Sequence, residues 1–243
     1  MKHVELIALP GLPMVRAGDD LAALIQAVGI IPRPDDVLVV AQKIVSKAEG
    51  REVLLAEVTP SARAEELARE TGKDARVVEL ILQESTRVVR ARPNLIIVQH
   101  RLGHTMANAG IDQSNVAPEG EERALLLPLD PDASAAALSA RLGCPVVISD
   151  SFGRAWRRGT VGVAIGCAGL PALVDLRGQP DLFGRELHVT LTGFADEIAA
   201  AAGLLMGQAA EGQPVVILRG LTWSTPACPA TELVRPAQED LFR

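Results

Sequence analysis

Aromatic side chains are scarce in this chain of 243 residues, which has four Phe, two Trp and no Tyr. Single-stranded nucleic acids are bound largely by stacking bases on aromatic rings, so the composition argues against such a platform. Basic residues are also in the minority, with 24 Lys and Arg against 30 Asp and Glu and a formal net charge of −6. We therefore expect no nucleic-acid partner and a core built from Ala, Val, Leu and Ile.

Cysteines and long apolar runs are equally few. Cys144, Cys167 and Cys228 lie far apart without a Cys-x-x-Cys pair, which argues against a disulfide framework or a zinc knuckle. No apolar run reaches the roughly 18 residues of a membrane span. The N-terminal segment MKHVELIALP is too short and too polar for a signal peptide. We therefore expect a soluble, cytoplasmic protein with no membrane partner.

Several familiar motifs are missing. The sequence has no GxxxxGK[ST] phosphate loop, no HExxH zinc motif and no GxSxG nucleophile elbow. The glycines of GVAIGCAG (162–169) are spaced differently from GxGxxG, so a Rossmann fingerprint is not supported. A nucleotide site in this chain must therefore be built in another way.

The chain contains a mixture of strand and helix patterns without strict alternation. Apolar runs predict strands over residues 3–9, 36–42, 86–99 (two strands joined by a Pro-Asn turn), 123–130, 145–150, 172–178, 186–193 and 214–220. Apolar spacing, acidic starts and glycine ends predict helices over residues 21–29, 61–84 (divided at Gly72), 130–143 and 195–209. This mixture favours an α+β or irregular α/β fold, with mixed sheets and flanking helices.

No clear linker divides the chain. We expect one catalytic domain over residues 1–220, with two intertwined subdomains as an alternative, and an extended C-terminal tail over residues 221–243. The tail is predicted from its three prolines, at positions 226, 229 and 236.

Two carboxylates stand in sequence contexts typical of sites. Asp150 ends the predicted strand PVVISD and precedes Ser151, and Asp112 lies in the polar stretch HTMANAGIDQSNV (104–116), predicted as a loop, three residues before Asn115. Either acid alone is better explained as a turn or helix cap. Together they match Mg²⁺ and Mn²⁺, which take one or two carboxylates with phosphate oxygens and water. The pair therefore favours a nucleotide–metal site.

Two lysines follow the predicted strand 36–42. Lys47 lies in QKIVSKAEG, with Lys43 four residues before it. A lysine near a strand end suits a phosphate as a point charge, and a solvated lysine is the alternative for each. His100 and His104 flank RLG and form a weak candidate metal pair.

A basic cluster lies in SFGRAWRRG, where Arg154, Arg157 and Arg158 surround Trp156. Guanidinium groups suit phosphates and carboxylates, and an indole suits a flat ring. We therefore assign these four residues to substrate binding, with a basic surface turn as the alternative. The turn PGLP (10–13) offers backbone N–H groups to a ligand, with a plain turn as its alternative.

Taken together, these motifs resemble the coenzyme F420-0:L-glutamate ligase family. The segments that carry the resemblance are LPGLP, VVAQKIVSKAEGR, MANAGIDQSNV, VVISDSFGRAWRRG, GVAIGCAGL, DLFGREL, ADEIAAAAGLLMGQA and PVVILRG. They follow the family's order from about residue 6 to residue 220. The resemblance implies a two-part α/β fold unlike the ATP-grasp enzymes, and a homodimer.

The resemblance also implies a reaction. GTP would phosphorylate the phospholactyl carboxylate of the deazaflavin F420 precursor, and the amine of L-glutamate would displace phosphate to form an amide (γ-glutamyl) bond. Mn²⁺ or Mg²⁺ and K⁺ would assist. The alternatives are another metal- and nucleotide-dependent amide ligase or kinase, a metal-dependent phosphoesterase, and a non-catalytic nucleotide-binding protein.

The resemblance assigns roles to individual residues. Asp112, Asp150 and Lys47 would be catalytic, and Asp112, Asp150, Ser151 and Gln208 would hold metal. GTP would contact Leu9, Pro10, Gly11, Leu12, Gln42, Lys47, Asn115, Met206, Gly207 and Gln208. The chain departs from the family at Gln42, where relatives often have Ser, at Gln208, where many have an acid, and at His104 and Met106.

Overall fold

The computed structural model describes residues 3–116 and 121–240. Its α-helices are α1 (Leu21–Ala27), α2 (Gln42–Ala48), α3 (Ala62–Thr71), α4 (Ala75–Gln83), α5 (Pro131–Leu142) and α6 (Phe194–Met206). Its strands are β1 (Glu5–Ala8), β2 (Val37–Ala41), β3 (Glu52–Leu54), β4 (Ser85–Arg92), β5 (Leu95–His100), β6 (Thr105–Ala107), β7 (Arg123–Leu125), β8 (Val146–Gly153), β9 (Thr160–Ala168), β10 (Val174–Asp175), β11 (Leu191–Thr192) and β12 (Val215–Arg219). The expected irregular α/β fold is confirmed.

A five-stranded mixed sheet in the order β1-β12-β2-β8-β9 forms the centre of the larger part. Strand β2 pairs with β8 in parallel, whereas β12 runs antiparallel to both β1 and β2. Strands β1, β2 and β8 therefore share one direction, and their carboxyl ends meet at one edge. The register places Ala41 opposite Ser149, so the residues that follow, Gln42 and Asp150, are neighbours at that edge.

Helices cover both faces of this sheet, which explains why its central strands are continuous apolar runs. Helices α1, α2 and α5 pack with Leu38, Val40 and Ile148 on one face. Helix α6 packs with Val39, Val147 and Val216 on the other face. The alternate residues of each strand thus enter two different cores.

The sequence analysis missed strand β9, whose small residues allow close helix packing. A methyl group at Gly162 would overlap the Ala199 carbonyl oxygen of α6, and one at Gly166 would overlap the Pro131 carbonyl oxygen of α5. An irregular register between Ile148 and Ser149 marks a β-bulge in the pairing with β9. The glycines of GVAIGCAG therefore serve close packing on both faces of the sheet.

A second, smaller part lies between α2 and α5 in the chain. Helices α3 and α4 pack with the antiparallel strands β4, β5 and β6 and with the β3–β7 pair around a core of their own, which includes Leu67, Val78, Ile81, Ile96 and Val98. The division between α3 and α4 at Gly72 is confirmed, since this residue ends α3 in a left-handed conformation. The smaller part thus has a core separate from the two cores that flank the five-stranded sheet.

Other expectations need correction. Residues 172–178 and 186–193 were predicted as strands, but only the two-residue pair β10–β11 forms. Residues 221–240 contain 3-10 turns at Ala230–Leu233 and Ala237–Glu239, and Ala230 is fully buried against the core, so this stretch packs on the molecule. Residues 241–243 of the predicted tail lie outside the described residues, and the domain division stays a prediction.

Candidate functional site

A cavity of about 360 Å³ opens at the edge where β2 and β8 end. Four chain segments line it: residues 41–43, residues 112–115, residues 149–151 and residues 206–214. Small side chains of β9 and α6 complete its wall, at Thr160, Gly162, Ala199 and Gly203. Clefts at the carboxyl ends of parallel strands are the usual ligand sites of α/β proteins. We refer to this space as the edge cavity.

Asp112 and Asp150 both line the edge cavity, as the sequence analysis expected. The buried side chain of Gln42 lies beside both of them: its Nε2 donates to Asp112 Oδ2 at 3.3 Å, and its proximity lowers the pKa of Asp150. Ser46 fixes the amide in turn by donating from its Oγ to Gln42 Oε1 at 3.0 Å. Gln42, expected only as a GTP contact, is therefore placed to position the two acids.

The carboxyl groups of Asp112 and Asp150 both have raised pKa values. Burial raises the pKa of Asp112, against the opposing effects of Lys43 and Gln42. Burial and the nearby Asp112 raise the pKa of Asp150 to about 6, although the Ser151 backbone N–H donates to its Oδ1 at 2.7 Å. Two carboxylates whose ionised forms are disfavoured in this way gain stability from a nearby cation.

Lys43 is the cation nearest to Asp112 in the described part of the chain. Its Nζ lies 3.4 Å from Asp112 Oδ2, and it donates to the Ser114 carbonyl oxygen at 3.4 Å and to Ser114 Oγ at 3.3 Å. Among the described residues that line the edge cavity, Lys43 has the one positive side chain, whereas Asp112, Asp150 and Glu211 are acidic.

Lys47 has a different environment from the one expected. It lies within α2, is buried, and is not among the residues that line the edge cavity. Its Nζ donates to the Asn115 carbonyl oxygen at 2.8 Å, and Asn115 Nδ2 donates to the Ala209 carbonyl oxygen at 3.2 Å. Lys47 and Asn115 thus connect the Asp112 loop to helix α2 and to the segment after α6.

The backbone before Asp112 has an unusual conformation that aims this residue. Asn108, Ala109 and Gly110 have φ values of 52°, 54° and 66°, which place three consecutive residues in the left-handed region. Asp112 then forms both backbone hydrogen bonds of an antiparallel bridge with Leu125, at 3.0 and 2.8 Å. The stretch 104–116, predicted as a loop, therefore contains the short strand β6, a strained turn at residues 108–110 and this bridge.

The segment that follows α6 forms one wall of the edge cavity. Met206, Gly207 and Gln208 line the cavity, and their assignment to the nucleotide stays a prediction. Gly207 ends the helix with a φ of 69°, and the Glu211 side chain packs over it while accepting from the Ala209 N–H at 2.8 Å. Glu211 brings a carboxylate three residues after Gln208; the sequence predicts the stretch 206–212 as lining but gives Glu211 no role of its own.

The remaining assigned residues are not among those that line the edge cavity. Leu9 is buried, and its N–H donates to the Val215 carbonyl oxygen at 2.9 Å, so the turn at Leu9, Pro10, Gly11 and Leu12 lies beside the strand that follows the cavity wall. Arg154, Trp156, Arg157 and Arg158 form the exposed connection between β8 and β9, where Arg154 donates to the Gly159 carbonyl oxygen at 3.1 Å. Their assigned roles stay predictions.

The histidine pair has structural contacts. His100 is fully buried, accepts from the Leu102 N–H on Nδ1 at 3.0 Å and lies 3.4 Å from Glu84 through Nε2. His104 packs edge-on against Phe152, and burial lowers the pKa of its imidazole to about 4. The two imidazoles therefore have protein neighbours that account for their positions.

The donor set at the edge cavity fits a divalent cation that arrives with phosphates. No three His, Cys, Asp or Glu side chains group as metal ligands among the described residues. Two carboxylates do converge, with the Ser151 and Gln208 side chains in the same wall. Mg²⁺ and Mn²⁺ commonly take this number of carboxylates and complete their shell with phosphate oxygens and water.

The helices in residues 3–116 and 121–240 lack the length and apolar character needed to cross a bilayer.

Comparisons with known proteins identify the class and the family. The coenzyme F420:L-glutamate ligase of Methanothermobacter thermautotrophicus is 44% identical over 252 aligned residues, which cover 99% of each chain. The enzyme of the same name from Methanopyrus kandleri is 47% identical over 240 residues, 94% of this chain and 93% of that protein. This chain is therefore related over its length to ligases. Residues 11–220 match the family model described as F420-0:gamma-glutamyl ligase, and the chain belongs to that family.

Proposed function

We propose that this protein joins L-glutamate to the phospholactyl carboxylate of a deazaflavin F420 precursor, with GTP as the phosphoryl donor. The main support is that Asp112 and Asp150 converge, with Lys43, at the sheet edge of a chain that belongs to this ligase family. The relatives are named for coenzyme F420 and L-glutamate, which supports the two organic substrates. GTP rests on the motif resemblance and on the charge pattern of the cavity.

The divalent cation is part of the proposal. Asp112 and Asp150 would hold Mn²⁺ or Mg²⁺, with the Ser151 and Gln208 oxygens nearby and Gln42 fixing the carboxylates. The cation would neutralise phosphate charge and orient the γ-phosphoryl group, the main requirements of phosphoryl transfer. K⁺ also stays a proposal from the resemblance, because the geometry of the described residues does not single out a place for it.

The reaction follows in two displacements. An oxygen of the acceptor carboxylate forms a bond to the γ-phosphorus as the bond to the β–γ bridging oxygen breaks, which gives an acyl phosphate and GDP. The glutamate amine then forms a bond to the acyl carbon, the carbon–oxygen bond to phosphate breaks, and the nitrogen loses its proton to water. The products are the amide and inorganic phosphate.

The chain's own residues have definable tasks in these steps. Lys43 can contact the transferring phosphate as a point charge, since its ammonium group lies in the cavity. Lys47 and Asn115 hold the Asp112 loop against the segment after α6. We assign the deazaflavin's phosphate and carboxylates to Arg154, Arg157 and Arg158, with Trp156 beside its ring, because these side chains border the strands that end at the cavity.

A homodimer belongs to the same proposal. The segment 174–192, which we call the arm, forms the β10–β11 ribbon and a turn. Leu182, Phe183 and Val189 on the arm are 100%, 87% and 86% exposed. Large apolar side chains exposed together in one segment mark interaction surfaces, and a second copy of the chain is the occupant that we propose.

One assay tests the proposed function. The protein is mixed with GTP, Mn²⁺, L-glutamate and the unglutamylated deazaflavin, and phosphate release and product mass are followed together. We expect phosphate release that depends on glutamate, with a matching glutamyl adduct. Asp150→Asn should abolish turnover without changing the far-ultraviolet circular dichroism spectrum.

The other outcomes identify other functions. Phosphate release without an adduct would indicate a phosphoesterase or a different acceptor, and nucleotide binding without phosphate release would indicate a non-catalytic protein. Full activity of the Asp150→Asn variant would remove this residue from the metal site.

A further inference from the structure

Lys43 is held loosely in a place where cations are needed. Its contacts with Asp112 and Ser114 measure 3.3 to 3.4 Å, longer than the 2.7 to 2.9 Å typical of charge-assisted hydrogen bonds. The neighbouring Lys47 forms a 2.8 Å bond and is buried, whereas the Lys43 side chain is 32% exposed. Of the two lysines, Lys43 is therefore the one that can change partners.

The oxygen that Lys43 faces, Oδ2 of Asp112, would also ligate the proposed metal ion. The ammonium group lies 3.4 Å from this oxygen, and Asp112 is one of the two carboxylates that we assign to the metal ion. An ammonium group and a divalent cation close to one carboxylate repel each other. Binding of a metal ion at Asp112 therefore requires Lys43 to move away or to lose its partner.

A bound ligand would offer Lys43 a further partner beyond Asp112 and Ser114. The other charged side chains of the described lining are Asp150 and Glu211, and the latter is engaged with the Ala209 N–H. A nucleotide would bring three phosphates into reach of the flexible lysine stem. This step of the argument rests on the proposed function, because it takes a nucleotide as the ligand.

We propose that Lys43 and a divalent cation exchange at Asp112, so that the lysine turns to the nucleotide's phosphates when the metal ion binds the carboxylate. Lys43 then opposes the binding of metal alone and supports the binding of metal with nucleotide. Each ligand therefore strengthens the binding of the other, a reciprocal coupling.

Binding measurements on the whole protein test the exchange without turnover. Mn²⁺ binding is measured by electron paramagnetic resonance with no nucleotide present, and binding of a non-hydrolysable GTP analogue is measured by calorimetry at saturating Mn²⁺. In Lys43→Gln we expect Mn²⁺ alone to bind about fivefold more tightly, the effect of removing one partly exposed charge. The analogue should bind about tenfold more weakly, the effect of losing a charged phosphate contact.

Three comparisons make the test specific. Lys43→Arg keeps the charge and should restore both affinities to within about twofold of the original protein. Lys73→Gln, in the connection between α3 and α4, removes a lysine away from the cavity and should change neither affinity. Melting temperatures of all variants establish that they are folded, as the partial exposure of Lys43 leads us to expect.

The outcomes separate this inference from the proposed function. Unchanged or weaker Mn²⁺ binding in Lys43→Gln would contradict the exchange at Asp112. Unchanged binding of the GTP analogue would contradict the contact between Lys43 and the nucleotide's phosphates. Failure of the original protein to form a glutamyl adduct would refute the proposed function, but the binding data would still decide the exchange.

Discussion

Two lysines one helical turn apart on α2 have opposite environments, and their contacts assign them different tasks. Lys43 reaches the edge cavity, whereas Lys47 is buried and donates to a backbone carbonyl oxygen of the Asp112 loop. Sequence analysis emphasised Lys47 as the phosphate contact. The buried bond to Asn115 indicates instead that Lys47 positions the loop.

Lys47→Met tests this positioning role. Loss of a buried charged donor leaves the Asn115 carbonyl oxygen without its partner, so we expect a loss of about 2 kcal/mol in the free energy of unfolding. Because Lys47 lies outside the cavity, kcat should fall more than the affinity for GTP. Urea unfolding and a separation of kcat from KM for GTP measure the two effects, with Lys73→Met as the matched control. A large rise in KM for GTP at unchanged stability would restore the direct phosphate contact.

The sequence predicted the two acids of the site but not the side chains that surround and position them. Asp112 and Asp150 were identified because strand ends and small-residue loops are recognisable from local pattern. The Gln42 amide lies beside both acids because β2 pairs with β8 in parallel, and residue types alone do not determine that pairing. The same holds for Glu211, whose place in the wall depends on how the chain turns after α6.

At the scale of elements, β9 shows how close packing restricts sequence. Gly162 and Gly166 leave no room for a methyl group because backbone carbonyl oxygens of α6 and α5 lie against them. The segment GVAIGCAG (162–169) does not match a dinucleotide-binding motif, and its sequence does not predict the strand that it forms. Its small residues lack the branched side chains by which strands are recognised. Helices with clear caps are easier to recognise from sequence. Helices α1, α3 and α5, which the sequence predicts, follow the side-chain caps Asp20, Ser61 and Asp130.

Alanine substitutions in the sheet test this packing. Gly162→Ala and Gly166→Ala should each lower the free energy of unfolding by about 2 kcal/mol, because the added methyl group forces a helix away from the sheet. Gly153→Ala in β8 is the control, since nothing lies within 4 Å of a methyl group there, and it should change stability by less than about 1 kcal/mol. Denaturant unfolding checks all three, and equal effects would contradict the close approach.

A cluster of charges lies within the smaller part of the molecule, between α2 and α5 in the chain. Glu84, at the end of α4, lies 3.0 Å from both Arg51 and Arg101 and 3.4 Å from His100. Although burial raises its pKa, the nearby His100 imidazole and the charges of Arg51 and Arg101 lower it to about 2, from an ordinary value of 4.5. The folded state therefore binds a proton at Glu84 less readily than the unfolded state does.

This difference gives stability a defined pH dependence. A depressed carboxyl pKa contributes stability above the unfolded value, and that contribution is lost as the pH falls from about 4.5 toward 2. We expect the cluster to contribute about 3 kcal/mol at neutral pH. Unfolding free energies measured between pH 6 and pH 3 should fall less steeply in Glu84→Gln than in the original protein. Parallel slopes would contradict the assignment.

At the scale of the whole molecule, the arm is the feature that a single chain explains least. Its apolar side chains are exposed, although two short strands and several backbone hydrogen bonds order it. The sequence predicted longer strands there, because alternating apolar residues resemble a half-buried strand whether the covering surface belongs to the same chain or to another.

Substitutions on the arm test the proposed homodimer. The double variant Leu182→Ser and Phe183→Ser removes two exposed apolar side chains, so we expect a dimer of the original protein to become monomeric in sedimentation velocity at micromolar concentration. The circular dichroism spectrum should be unchanged, since neither side chain packs in a core. Leu204→Ser, on an exposed face of α6, is the comparison and should leave the dimer intact. An unaltered sedimentation coefficient of the arm variant would place the interface elsewhere.

The central claim is that the edge cavity activates a carboxylate as an acyl phosphate before glutamate attacks. The most direct measurement uses a deazaflavin acceptor labelled with oxygen-18 in its carboxylate, with GTP, Mn²⁺ and L-glutamate, and determines the mass of the released phosphate. An acyl phosphate passes one carboxylate oxygen to phosphate in each turnover, so we predict phosphate with one oxygen-18 atom in step with amide formation. Unlabelled phosphate released alongside the amide would contradict the account.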